Sequence, residues 1–341
     1  MSYRRKPSLI LLVLALALIA VSVLSLLTGA IEVTISDWVL GADYTRQSVA
    51  SVVLFDIRLP RMLLASLVGA GLGVSGAVIQ GLFRNPLADP GLIGVSGGAA
   101  LGAAYILVLG SQSLWLATIP INIMLPTAAF MGGLLATLLV MTFSWSARAG
   151  SVTAILLVGL AINTMATGGI GLLTALTDQD SLGNLTFWLL GSMAGADVNN
   201  VLIAAAVIVP AICLLLRDAS NLDCLLLGES SARTLGVPVT ALKLRLVFLS
   251  ALVVGCAVAF TGMIGFIGLI VPNLLRFVVG PLHRWLLPAS AIFGALLLVT
   301  ADLLARTIWF PRELPIGVLT SLIGAPIFIF LIAVQRRKGL L

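Results

Sequence analysis

The 341-residue chain is predicted to be an all-α, polytopic membrane protein of about ten transmembrane helices. Three observations predict this. Hydrophobic residues make up 60% of it and charged residues 9%, with a mean hydropathy of +1.18, more apolar surface than a soluble core could hide. The apolar residues fall in runs of about 20, the length that crosses a bilayer core as a helix. The basic residues, which outnumber the acidic ones to give a net charge of +6, gather at the ends of those runs. That is the positive-inside pattern rather than the patch of a nucleic-acid binder. One transmembrane domain over residues 1–341 is the expected organisation.

In order, the runs give spans near 9–28, 60–82, 91–109, 122–144, 153–174, 199–216, 241–261, 264–279, 285–304 and 315–334. The first follows Arg4, Arg5 and Lys6 and ends in Thr28-Gly29-Ala30, which resembles a signal-peptide cleavage site. Its length and the many later spans favour an uncleaved helix with a cytoplasmic N-terminus. The loops holding Arg84, Arg148, Arg217, Arg233, His283 with Arg284, and the terminal Arg336-Arg337-Lys338 then lie in the cytoplasm. The stretch 175–198, with Asp178, Asp180 and Asp197 and no Lys or Arg, lies outside. An even number of spans leaves both termini inside.

Val68-Gly69 through Ser75-Gly76 to Pro86 recurs 186 residues later as Val254-Gly255 through Thr261-Gly262 to Pro272. Five spans separate the copies, and an odd separation reverses direction, so helices 2–5 and 7–10 are expected to form an inverted-topology repeat. In the eighth span, Gly262, Gly265, Gly268 and Pro272 interrupt about 16 residues, or about 24 Å of helix. So short a broken segment belongs inside the bundle, where protein or water satisfies its backbone. Glycines at small-xxx-small spacing, such as Gly69 and Gly73 or Gly98 and Gly102, are read as sites of close helix packing.

Several chemistries find little support. Gly94-Val95-Ser96-Gly97-Gly98 and Gly73-Val74-Ser75-Gly76 resemble serine-nucleophile motifs, but the only histidine, His283, lies in an expected loop and no other base is evident. No G-x-x-x-x-G-K-[ST] phosphate loop occurs, so ATP, if used, is used by another subunit and this chain is not an enzyme. Cys213, Cys224 and Cys256 have no paired spacing, so no metal site, disulfide or cofactor of this chain's own is expected. Ion coupling would need an intramembrane acid, and Asp302 with Arg306 one turn later reads as a structural pair.

Two polar features remain. Arg58 and Arg61 flank Leu59-Pro60 at the outer mouth of the second span, and Arg306 ends the ninth, where snorkelling anchors and a docking patch for an acidic partner are both open readings. The internal segment of about residues 217–240 includes Gly228-Glu229-Ser230-Ser231-Ala232-Arg233-Thr234-Leu235-Gly236, a short amphipathic helix with a glycine cap.

This last stretch resembles the coupling-helix signature of type II ABC importer permeases for iron-siderophores, haem and cobalamin. Further motifs agree in order: Arg58-Leu59-Pro60-Arg61, Arg84-Asn85-Pro86-Leu87-Ala88-Asp89-Pro90-Gly91, Gly94-Val95-Ser96-Gly97, Gly265-Phe266-Ile267-Gly268-Leu269, Ala301-Asp302-Leu303-Leu304-Ala305-Arg306 and Glu313-Leu314-Pro315-Ile316-Gly317-Val318. The resemblance implies a homodimeric permease in the bacterial inner membrane, with two cytoplasmic ATPase subunits and a periplasmic binding protein. It places Arg58, Arg61 and Arg306 at the binding-protein contact. It seats Gly228, Glu229, Ser230, Ser231, Ala232, Arg233, Leu235 and Gly236 against the ATPase, and makes Asn85, Leu87, Val152 and Thr153 the cytoplasmic gate. The run Gly81 to Ser96 is most similar to haem permeases, with ferric siderophore second and cobalamin third as cargo.

Overall fold

A computed structural model describes residues 7–29, 49–110, 120–146 and 152–337. Arg4, Arg5, Lys6, Ala30, Arg148 and Lys338 lie outside the described residues. The chain is helical throughout the described regions: α1 (Pro7–Leu27), α2 (Leu59–Phe83), α3 (Val95–Leu109), α4 (Ile121–Ser146), α5 (Val152–Ala175), α6 (Gln179–Leu189), α7 (Val198–Arg217), α8 (Ala219–Leu226), α9 (Glu229–Thr234), α10 (Val239–Thr261), α11 (Ile267–Val278), α12 (His283–Thr307) and α13 (Ile316–Arg337). A four-residue helix, Val49–Val52, and a π-helical stretch, Val53–Arg58, lead into α2, and a 3-10 turn, Pro90–Ile93, leads into α3. Among the described residues, seven helices are long and apolar enough to cross a membrane: α1, α2 with its π-helical lead, α4, α5, α7, α10 and α12. With the shorter apolar helices α3, α11 and α13 they account for the ten expected spans.

α2, α10 and α12 form the buried centre, while α1 and α5 lie mostly at the surface. Their packing follows the repeat. α2 packs on α12 and α11 as α10 packs on α4 and α3, and α3 packs on α4 and α5 as α11 packs on α12 and α13. Exchanging the second to fifth spans with the seventh to tenth thus maps each contact onto another. The short sequence match, however, sits in a different register. Gly76 lies inside α2, whereas Gly262, its match, closes α10 at φ +68. What the two halves share is the order and packing of helices, not that pattern of glycines.

Close crossings explain the glycines. A Cβ at Gly69 would overlap the Gly294 carbonyl, one at Gly73 the Ser290 carbonyl and one at Gly76 the Gly268 carbonyl, so α2 meets α12 and α11 backbone to backbone. Gly98 and Gly102 stand in the same relation to the carbonyls of Gly132 and Ala128, joining α3 to α4. In lipid, where apolar side chains gain little by leaving the solvent, such approach is a main source of helix association.

Two segments depart from expectation. The outer stretch 175–198 contains α6, because Asp178 accepts a hydrogen bond from Ser181 N at 2.9 Å and caps its first turn, while Asp197 does the same for α7 through Asn200 N at 2.6 Å. The side chain and then the backbone N–H of Ser181 hold the Asp178 carboxyl below the usual carboxylate range. The eighth span is shorter than expected, since α11 has 12 residues, or about 18 Å. Gly262 and Phe266, both at positive φ, keep 262–266 out of the helix. Neighbouring backbone satisfies this region: Ser192 N donates to Thr261 O at 2.8 Å, and Ile316 N and Gly317 N donate to Gly191 O and Leu190 O at 3.0 Å each. The end of α6, the end of α10 and the start of α13 are thereby knotted together.

Candidate functional site

At one end of the bundle, α8 and α9 form a bracket beneath α7 and α10. The α9 C-terminus is closed by Gly236 at φ +84, with Gly236 N donating to Arg233 O and Val237 N to Ala232 O, both at 3.0 Å. This reciprocal pair satisfies carbonyls that a helix end leaves open. Gly228, at φ +105, makes the sharp turn from α8 into α9. Ala232 is the buried anchor of α9, whereas Ser230, Ser231, Arg233, Thr234 and Leu235 are exposed, Leu235 at 61%.

Two ion pairs and one carboxylate–histidine contact fix this bracket to the membrane helices. Asp218 holds Arg245 of α10 through two hydrogen bonds, 2.7 and 2.5 Å. Glu229 of α9 meets Lys243 of α10 at 2.6 Å. Asp223 of α8 accepts both the backbone N–H of His283 and a ring contact at Nδ1, each 2.7 Å. His283 is therefore not a loop residue but the buried first residue of α12, its ring laid against Gly81 of α2, where any Cβ would overlap Nε2. Burial alone would raise the Asp223 carboxyl, but the hydrogen bonds from His283 outweigh it and hold it below the usual range.

The expected gate residues border the same end. Arg84, at φ +50, caps α2, and Asn85 Oδ1 accepts Leu87 N at 2.9 Å to shape the turn. Asn273 of α11 donates to Pro86 O at 2.8 Å. Val152 and Thr153 open α5, and α5 grips the far side of this turn: Asn163 donates to Gly91 O at 3.1 Å and accepts from Gly97 N at 3.2 Å. Asp89 caps the 3-10 turn by accepting Gly91 N at 2.7 Å, and burial raises its carboxyl above the usual range, the Gly91 hydrogen bond pulling the other way.

The structure gathers Arg58, Arg61 and Arg306 at the opposite end, with their side chains turned inward. Arg61 Nε pairs with buried Asp302 at 2.7 Å, and its Nη1 meets both Glu313 oxygens at 3.0 Å. Arg306 lies 3.5 Å from Asp302 and donates to Ser25 O at 2.5 Å. Arg58 donates to Leu26 O and Leu27 O, at 2.7 and 3.2 Å. Arg58 and Arg306 thus cap the last carbonyls of α1. Asp302 is locked between guanidiniums, the structural pairing its spacing suggested, with Arg61 as an added partner.

Among the described residues neither serine motif acquires a histidine base, since Ser75 is buried without a hydrogen-bond partner and His283 is held by Asp223 with its ring against Gly81. Sequence reading passed over Asp218, Asp223, Asn163 and Asn273, single polar residues whose partners lie far along the chain. Glu313 was legible as the first residue of a motif, though not as a partner of Arg61.

Glycine-packed helices long and apolar enough to cross a bilayer, with a braced bracket at one end and a charged cluster at the other, define a polytopic membrane protein. Residues 16–334 match the FecCD transport family, and the chain belongs to it. It is 46% identical over 287 residues to the hemin transport system permease protein HmuU of Yersinia pestis, covering 84% of each chain. It is 41% identical over 315 residues to the vitamin B12 import system permease protein BtuC of Vibrio cholerae, covering 92% of this chain and 90% of that one. Among solved structures, an inward-facing metal-chelate type ABC transporter superposes with a TM-score of 0.84 at 34% identity, covering 96% and 99% of the two chains. The protein is thus the permease subunit of an ABC importer with a type II fold, and not itself an enzyme. Permeases of this type work with ATPase subunits and a binding protein.

Proposed function

We propose that this permease carries haem across the bacterial inner membrane by alternating access, as a homodimer with two ATPase subunits at the α8–α9 end and a periplasmic binding protein at the other. Both termini are then cytoplasmic, ATP is used by the partner subunit, and this chain binds no cofactor. The observation that supports the reading best is the bracket itself. α9 offers an exposed face of Ser230, Ser231, Arg233 and Leu235 while Glu229, Asp218 and Asp223 tie its base to α10 and α12. A push on α9 reaches the membrane helices through those contacts. It also reaches the gate turn at Asn85 and Leu87, because His283 lies on α2 just before that turn.

In this reading Arg58, Arg61 and Arg306 receive acidic residues of the binding protein, which must compete with Asp302, Glu313 and the α1 carbonyls for the guanidiniums. The similarity to the hemin permease of Yersinia pestis supports haem. The metal-chelate type of the structural neighbour supports a ferric siderophore as the second reading. Reconstitution with the ATPase and binding protein in liposomes, offering haem, a ferric siderophore and cobalamin in turn, decides the cargo. ATP-dependent uptake of haem alone is expected. Uptake of a siderophore or cobalamin instead would overturn haem, and uptake without the ATPase would favour an ion-coupled carrier.

A further inference from the structure

At the α8–α9 end, a cavity of about 510 Å³ opens between α2, α8, α11 and the start of α12. Arg84 and Arg276 line it, with Gln80, Asn85, Asn273 and His283. No Asp or Glu lines it. Arg276 donates, among the described residues, only to the neutral oxygens of Gln80 and Asn273. Among the described residues the Arg84 guanidinium makes no hydrogen bond or ion pair, and it lies beside Gly228, about 4.0 Å from where a Cβ there would stand. Two guanidiniums without a carboxylate, sharing one concave site, make a receptor for an oxyanion.

The surroundings choose among oxyanions. Phe277 lines the cavity, and Val278 and Leu282 follow on the same α11–α12 turn, exposed at 45%, 50% and 49%. This turn leads into α12, a helix long and apolar enough to cross a bilayer, whose start at His283 marks one edge of the apolar core. A cationic pocket beside an apolar shelf fits a molecule whose phosphate adjoins hydrocarbon, and basic pockets between membrane helices are a known form of headgroup site. We propose that this cavity binds the phosphate headgroup of an anionic phospholipid, held by Arg84 and Arg276 with its chains over Phe277, Val278 and Leu282. The proposal requires only the membrane-spanning fold and is independent of the cargo.

Native mass spectrometry of the full-length permease in detergent, titrated with phosphatidylglycerol or phosphatidylcholine, tests it. Phosphatidylglycerol should be retained under activation that strips phosphatidylcholine, and Arg84→Gln should weaken that retention about fivefold, the factor one basic residue contributes at an anionic surface. Arg276→Gln also removes contacts to Gln80 and Asn273, so Arg84→Gln is the deciding variant, and its thermal midpoint should equal that of the wild type. Equal retention of the two lipids, or of phosphatidylglycerol by Arg84→Gln and wild type, would overturn the proposal. So would displacement of the lipid by millimolar inorganic phosphate, which would assign the cavity to a free anion. Loss of ATPase association in Arg84→Gln with lipid retention intact would assign it to the subunit interface and equally overturn the lipid reading.

Discussion

Asp302 is the residue on which the charged cluster opposite the bracket turns. It is almost wholly buried and compensates both Arg61 and Arg306, so that removing it leaves Arg61 on the half-exposed Glu313 and Arg306 on the oxygens of Ser25 and Thr28. Asp302→Asn is expected to cost less than the about 3–5 kcal/mol of a buried charge left wholly unpaired, because Glu313 still meets Arg61, and pairing it with Arg61→Met to recover part of that loss. Thermal midpoints of the purified variants check both, and Glu313→Gln should cost under about 1 kcal/mol because Glu313 is half-exposed and its partner keeps Asp302. Asp89 makes the opposite case. Its carboxyl sits above the usual range, so the folded chain holds the proton better than the unfolded chain does. Stability contributed by this residue should therefore rise as the pH falls through its raised value. Asp89→Asn, which keeps an oxygen to cap Gly91, should remove that pH dependence without loss of stability at neutral pH, as melting curves across acidic buffers would reveal. At this scale the sequence was legible where a motif marked the residue, as with Arg61, Asp302 and Glu313. It was opaque for Asp223 and Asn163, because a lone acid or amide shows no sign of a partner 60 or 66 positions away.

Helices supply the next level, and their crossings rest on single hydrogen atoms. Gly76→Ala would drive a methyl into the Gly268 carbonyl, which is backbone and cannot rotate aside, so α2 and α11 must separate. A loss of at least about 1–3 kcal/mol is expected, read as a lowered thermal midpoint or an aggregated profile on size exclusion. Gly268→Ala should be milder, since the ring of Pro90 is its nearest obstacle at 3.1 Å. Hydropathy located the ten spans to within a few residues because membrane helices must be long and apolar. It could not see α6, whose capping by Asp178 is local chemistry within a polar stretch. Nor could it foresee that 262–266 would leave the helix, because the backbone donors and acceptors that allow this come from α6 and α13.

Seen whole, the molecule is two exchanged sets of helices with a bracket at one end and a charged cluster at the other. The bracket's exposed face and its internal ties make separable predictions. Arg233→Glu, on the exposed face, should reduce association with the ATPase in co-purification. Asp223→Ala leaves that face intact and cuts the link to α12, so the complex should assemble and hydrolyse ATP with transport reduced at least tenfold. Normal assembly in the first, or normal transport in the second, would count against force passing through α8 and α9. The bracket could be read in the sequence from Gly228 and Gly236, since helix-ending glycines announce themselves. Its anchorage to α10 and α12 could not.

The capping of α1 has a bearing on how the protein is made. Arg58 follows Leu26 by 32 residues, but Arg306 follows Ser25 by 281. At roughly 5–20 residues per second, a ribosome supplies the first cap within seconds of finishing α1 and the second only after about 14–56 s. During that interval Arg61 also waits in the bilayer for Asp302, 241 positions downstream. The earliest helix is thus finished by one of the last, and a chain cut short before α12 would present the cell with an unneutralised arginine and a half-capped helix end, two marks by which an unfinished product can be told from a finished one.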